Sequence, residues 1–313
     1  MMSKPVKLSA KLLFWAYVFA GVTGLFCRFG GVDAQASADR QTPVLLLTET
    51  GVVACSMAEY LPYAVAAEMP ASFGAEALKA QAVAARTYVI GANRHESAHV
   101  CTQSGCCLAY VDEPTLRALW GGAFEDNWQA VLQAVAATDG EYLTYGGQAI
   151  QAAFHASSLG FTENSGNLWS PLPYLVSVET PEQPGDVPEL VTTVSVSAGD
   201  FAAALGLAAQ DAPDTWLGET MLDDAGRVDF VIICGQAVSG GELRQYFGLR
   251  STDFTLAWDG EAFLFTVNGY GHGVGMSQYG ARAYAAQGWS YRDILAHYYP
   301  GTVLALWAPD SVL

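Results

Sequence analysis

From residue 42 onward the apolar positions fall into short blocks separated by glycine, proline and small polar residues. A compact apolar run predicts a strand over 42–48. Residues 57–67 predict a short helix whose limits are blurred by Pro62, and Met69-Pro70 ends it. Ser72 then caps a long helix over about 74–93. On it Leu78, Ala82, Ala85 and Val89 recur at helical spacing, and side chains this small imply close packing against a neighbour. Another helix spans 124–137 and is closed by Gly140. Residues 141–145 and 148–155 flank Gly146-Gly147, a tight turn that predicts a β-hairpin. Residues 156–173 read as a loop, and the proline-rich stretch 181–188 as the best internal linker. Beyond it lie strands over 190–196, 228–233, 254–258 and 261–267, with a helix near 199–207. A glycine-rich loop over 269–275 leads into helices over 276–287 and 291–298, and a last short strand follows Pro300-Gly301. There is no regular strand–helix–strand rhythm. The expected class is therefore α+β, mixed helices and β-hairpins in one compact region over 42–313.

The first residues follow another pattern. Lys4, Lys7 and Lys11 precede the uncharged, mostly apolar run 12–26, and Ala34-Gln35-Ala36 has the small-x-small form of a cleavage site. This predicts an export signal or an uncleaved membrane anchor over 1–36. Either one places the remainder outside the cytoplasm. The run is short of the roughly 20 residues that a spanning helix prefers.

Composition narrows the classes of function. Hydrophobic residues make up 51% and charged residues 14%, so a sizeable core can form. Lys+Arg total 14 against 31 Asp+Glu, a net charge of -17. A nucleic-acid partner is excluded on that balance, because phosphates must be neutralised by Lys and Arg.

Several residues can carry chemistry. Glu68 sits in Val65-Ala66-Ala67-Glu68-Met69-Pro70, and an apolar setting raises a carboxyl pKa and suits a general acid. A glutamate facing water at a helix end is the ordinary alternative. Lys79 and Arg86 lie two turns apart on one helix, roughly 10 Å along it, where they can line a polar substrate or simply face solvent. His95, His99, Cys101, Cys106 and Cys107 crowd one loop. Four such donors can close a tetrahedral zinc site, whereas an exported protein can instead pair Cys101 with Cys106 or Cys107 as a disulfide. The alternating glycines 269–275 let backbone approach a ligand, with His272 and Gln278 at the mouth. His155 ends the hairpin and is open to the same two readings, packing or binding. No second carboxylate stands in a setting like that of Glu68, and two acids are what an ordinary glycosidase needs. Nucleophile-elbow, zinc-protease and phosphate-loop motifs do not occur.

Three blocks together resemble the stage II sporulation protein D family, which includes amidase-enhancer proteins. They are Ala66-Ala67-Glu68-Met69-Pro70 continuing through Lys79 and Arg86-Thr87-Tyr88; Phe154-His155 through Thr162-Glu163-Asn164-Ser165, Trp169 and Pro173-Tyr174-Leu175; and Gly271-His272-Gly273-Val274-Gly275-Met276-Ser277-Gln278-Tyr279-Gly280, closing with Tyr298-Tyr299-Pro300-Gly301. The resemblance implies a membrane-anchored lytic transglycosylase that cleaves peptidoglycan strands stripped of stem peptides. It implies work beside an amidase/endopeptidase and a membrane scaffold protein during forespore engulfment. It makes Glu68 the catalytic acid and Lys79, Arg86, His155, His272 and Gln278 the glycan-orienting set. It also implies a structural zinc held by His95, Cys101, Cys106 and Cys107. Cys106 departs from the family's second histidine, which leaves His99 as the other candidate. A glycan-binding enhancer of an amidase, without catalysis, is the implied alternative.

Overall fold

The computed structural model describes residues 37–91, 95–103, 105–207 and 212–308. The export or anchor segment expected over 1–36 lies outside the described residues. Among the described residues no helix is long and apolar enough to cross a membrane.

The chain starts with one turn, α1 (Ala38–Gln41), followed by the antiparallel pair β1 (Pro43–Thr48) and β2 (Gly51–Ser56). Ser56 caps α2 (Met57–Glu68) reciprocally with Glu59, which fixes where that helix starts even though Pro62 sits inside it. A 3-10 turn over Ala71–Phe73 leads into α3 (Ala75–Gly91). β3 (Val100–Cys101) adds to β1 in parallel. Then come α4 (Glu113–Trp120), α5 (Phe124–Ala137), and the hairpin of β4 (Glu141–Tyr145) and β5 (Gln148–Ala149). α3 is the hub, with α2, α5, β4 and, from the end of the chain, the helices Gln278–Ala286 and Tyr291–Tyr298 all packed on it.

The hairpin expected over 141–155 stops at Ala149. β6 (Phe154–His155) leaves it to pair in parallel with β15 (Met276–Ser277). Between these lie β7 (Gly160–Phe161), α6 (Ser165–Leu168) and β8 (Glu179–Thr180). The segment 181–188 is no free linker. Glu182 in it is 1% exposed and accepts hydrogen bonds from Ser158 N–H and from the Thr180 and Ser277 hydroxyls. Residues 37–313 accordingly form a single unit.

A second hydrophobic core belongs to residues 191–268. It comprises β9 (Val191–Ser197), α7 (Ala198–Leu205), β10 (Leu217–Leu222), β11 (Val228–Ile233), β12 (Gln236–Ser239), α8 (Gly240–Phe247), β13 (Phe254–Trp258) and β14 (Ala262–Asn268). These make two three-stranded sheets, β10-β11-β12 and β13-β14-β9, around Phe201, Trp216, Phe263 and Phe265. The chain then returns through the glycine loop to β15, α9 (Gln278–Ala286), α10 (Tyr291–Tyr298) and β16 (Val303–Leu306), which pairs with β4. The helix expected from 276 thus begins two residues later, after the short strand. Helices mixed with mostly antiparallel strand pairs make the fold α+β.

One buried ion pair ties the first turn to the hub. Arg86 donates from Nε and Nη2 to the two oxygens of Asp39, at 2.7 and 2.6 Å, with Arg86 1% and Asp39 3% exposed. Removing one member strands the other charge in the interior. Arg86→Leu is expected to cost about 3–5 kcal/mol in urea unfolding. Adding Asp39→Ala should recover part of that loss.

Candidate active site and metal centre

Glu68 is the last residue of α2, half-buried where the chain turns toward Met69-Pro70. Its Oε1 accepts the Ala109 N–H at 2.6 Å. Its backbone carbonyl accepts Gln278 Nε2 at 3.0 Å, and the same amide reaches Gln81 Oε1 at 3.3 Å. Two segments distant in sequence, at Ala109 and Gln278, therefore fix one glutamate. Burial pushes its carboxyl pKa above 4.5, and the Ala109 N–H opposes that shift. Such a group exchanges a proton nearer neutrality than an exposed glutamate does.

The expected orienting set divides on inspection. Gln278 is buried and holds the main chain of Glu68. Arg86 is committed to Asp39, to the Glu141 carbonyl at 2.9 Å and to the core, so its expected place on a substrate-lining face is corrected to a structural one. Lys79 is partly exposed but its Nζ pairs with Glu76 at 2.6 Å. The two cations share a helix face, yet α1 and β4 cover only the end that carries Arg86.

His155 is also interior, at 4% exposure. Its Nδ1–H points at the Val274 carbonyl (3.3 Å), and Nε2 accepts the Ser158 hydroxyl (2.7 Å), which in turn accepts Arg227 Nη2 (3.0 Å). Burial first, then His272 and Arg227, hold its pKa well below 6.5, so it stays neutral. His272 accepts Val274 N–H on Nδ1 at 3.0 Å, and burial with Arg244 and Arg227 pushes its pKa down to about 4. The Trp169 ring meets it edge-on at 5.1 Å. The two histidines clip the glycine loop to β6. Close approach demands the glycines: Gly275 has positive φ, and a Cβ there would run into the Ala153 carbonyl.

Sequence reasoning missed two further buried carboxyls. Burial, reinforced by Asp223 and offset by Arg227, pushes Glu163 up to about 7. Burial also raises Glu182, against its hydrogen bonds from Ser277, Thr180 and Ser158. Glu163 is 0% and Glu182 1% exposed. Arg227, which ion-pairs with Glu163 at 3.5 Å, was likewise not singled out, because its partner lies far away in sequence.

The structure brings His95, Cys101, Cys106 and Cys107 together, with one donor atom of each within 4.8 Å of all the others. His95 Nε2 is 3.4 Å from Cys107 Sγ and 3.7 Å from Cys106 Sγ. Zinc bonds of about 2.3 Å to sulfur and 2.0–2.1 Å to nitrogen, at tetrahedral angles, put such donors about 3.6 Å apart. The residues present therefore fit that ion. His99 stands apart from the cluster, its Nδ1 accepting Leu45 N–H at 3.0 Å. Ala109, the donor to Glu68, follows Cys107 by two residues.

Comparisons with known proteins place the chain in a family. Residues 48–145 match the family model described as "Stage II sporulation protein". Stage II sporulation protein D of Bacillus amyloliquefaciens is 37% identical over 269 residues, covering 83% of this chain and 77% of the relative. Its counterpart from Bacillus subtilis (strain 168) is 35% identical over 284 residues, covering 88% and 82%. An "Amidase enhancer" of Bacillus subtilis (strain 168) is 31% identical, covering 76% of this chain and 39% of that protein.

The raised Glu68 pKa has a consequence for stability. A carboxyl whose pKa is higher when folded contributes fully below its unfolded value, and that contribution is lost as pH rises through the folded value. Glu68→Gln is therefore expected to melt at a higher temperature than the parent at pH 7–8. The gap should close below about pH 4.5. Thermal scans across pH check this, and an unchanged gap throughout would contradict it.

Proposed function

The chain belongs to the stage II sporulation protein D family, and on that premise we propose that it is a peptidoglycan lytic transglycosylase with Glu68 as acid and base. The observation that carries this reading is the Glu68 carboxyl itself: half-buried, raised in pKa, fixed by one N–H and tied through its carbonyl to Gln278. In its protonated form Glu68 delivers a proton to the oxygen leaving C1 of N-acetylmuramic acid. Charge develops at C1 as the bond breaks. The Glu68 carboxylate then takes the proton of that sugar's own C6 hydroxyl, and O6 closes onto C1. The product carries a 1,6-anhydro ring, and no water is consumed. One carboxyl serves as acid and then base, which removes the need for the second acid of a hydrolase. The deep burial of Glu163 and Glu182 is consistent with that economy.

The other residues support Glu68 rather than touch sugar. Gln278 sets the direction of its main chain, and His155 and His272 keep the glycine loop on β6. We assign a structural Zn2+ to His95, Cys101, Cys106 and Cys107. Bound there, it supplies cross-linking of a loop that lacks a hydrophobic core of its own. That loop carries the Ala109 N–H to Glu68. Residues 1–36 would hold the protein at the membrane with its fold outside the cytoplasm. The partners would be glycan strands, with a cell-wall amidase/endopeptidase and a membrane scaffold acting in forespore engulfment. The likeness to the amidase enhancer favours a second reading, a glycan-binding stimulator of an amidase without turnover.

The chain from Ser37 onward, given glycan strands freed of stem peptides, is expected to yield fragments one water lighter than hydrolysis products by mass spectrometry. Glu68→Gln should yield none. Amidase stimulation that survives Glu68→Gln, with no cleavage by the parent, would favour the second reading. Metal analysis should find one zinc per chain, lost in Cys101→Ser. Stripping the zinc should slow cleavage by loosening the hold of Ala109 on Glu68, and full activity in zinc-free protein would oppose that coupling.

A further inference from the structure

Glu68 closes α2, and the carbonyls of a last helical turn have no N–H of their own helix to bond. The Glu68 carbonyl is met instead by Gln278 Nε2, at 3.0 Å. Gln278 opens α9, whose start is set by the Ser277 cap on the Gly280 N–H. The same nitrogen makes a second contact inward, to Gln81 Oε1 at 3.3 Å. Gln81 is fully buried on α3, in a run of alanines and a valine, where a polar amide costs stability unless it is bonded.

The directions in this chain of three groups are forced. A carbonyl oxygen accepts and cannot donate, so Gln278 has to turn its nitrogen, not its oxygen, toward Glu68. The other hydrogen of that nitrogen goes to Gln81, which has to present its oxygen. Turning either amide round by itself would set oxygen against oxygen or nitrogen against nitrogen. Gln81 is thereby left with its own nitrogen on the far side, and Nε2 there is buried with no hydrogen-bond partner among the described residues. An open donor in the interior destabilises the fold. A side chain that weakens the fold at this depth has its use in the one bond it does make. The last torsion of a glutamine is broad and nearly two-fold. A single bond to Glu68 does not fix the plane of the Gln278 amide, and a second one does.

We propose that Gln81 is a positioning residue for Glu68: it locks the Gln278 amide in its donating orientation, and that amide aligns the end of α2 that carries the acid. The inference rests on the reading of Glu68 as acid and base and deepens it. Gln81 acts through Gln278, so its effect on the reaction vanishes once Gln278 can no longer donate.

Gln81→Met keeps the length of the side chain and removes both the acceptor and the open donor. Its melting temperature is expected to stay close to the parent's, because the unpartnered donor leaves with the bond. On glycan strands freed of stem peptides, kcat should fall about 10-fold with KM nearly unchanged. Gln278→Met should lower kcat at least as far, and the double variant no further than Gln278→Met alone. A readout independent of turnover is the Glu68 carboxyl signal in protein labelled with 13C-glutamate, identified by its loss in Glu68→Gln. In Gln81→Met its titration should move down toward 4.5 as the loosened carboxyl gains water. Unchanged kcat with an unchanged titration, losses that multiply in the double variant, or a Gln81→Met protein that melts far below the parent would each overturn the proposal. A shifted titration in Gln81→Met, with no anhydro product from the parent, would uphold it while defeating the lyase reading.

Discussion

Alanine along α3 is the constraint from which the rest of the first core follows. Ala77, Ala80, Ala82, Ala84 and Ala85 are all buried, and five elements approach the helix because none of these side chains stands in the way. Close backbone approach gathers many weak contacts that bulkier residues would forbid. It also brings the end of α2 and the start of α9 to the same place, so that Gln278 can reach both the Glu68 carbonyl and Gln81 on α3. Enlarging one of these alanines would overpack the interior and move the carboxyl that the helices converge on.

The site is accordingly a rigid mount around one reactive group. A main-chain donor and a side-chain amide determine where Glu68 sits, and two neutral histidines hold the glycine loop as hydrogen-bonding clips whose charge never changes near neutrality. Desolvating the glutamate destabilises the fold, and that cost is the source of its raised proton affinity. Burial of this carboxyl and stability of the fold pull in opposite directions here.

Periodicity displayed most of the long elements, and the residue clusters around Glu68, Cys101–Cys107 and His272 were visible as such. What sequence could not display was which groups are covered. Lys79 and Arg86 look alike on one helical face, and only the distant α1 and β4 decide that Arg86 is interior. The prolines at 181, 184 and 188 signal a linker, but Ser158 and Ser277 from elsewhere, with the neighbouring Thr180, donate to Glu182 in the interior. β6 and β15 are two residues each and pair in parallel across more than a hundred positions, beyond any local pattern. Other elements left a local signal that was passed over. The reciprocal cap of Ser239 and Glu242 marks α8, as Ser56 and Glu59 mark α2.

The second core enters by β9 and leaves by β14, which are antiparallel neighbours, and Gly269 N–H closes the gap on the Leu190 carbonyl at 2.7 Å. The path between those ends is held at one further point, because Arg227 reaches out of the second core to pair with Glu163 and to bond the Ser158 hydroxyl that His155 also holds. Residues 191–268 therefore behave as an insertion riveted at its joined ends and at Arg227, and changes in it that spare those three fixings leave the glutamate and its mount where they are.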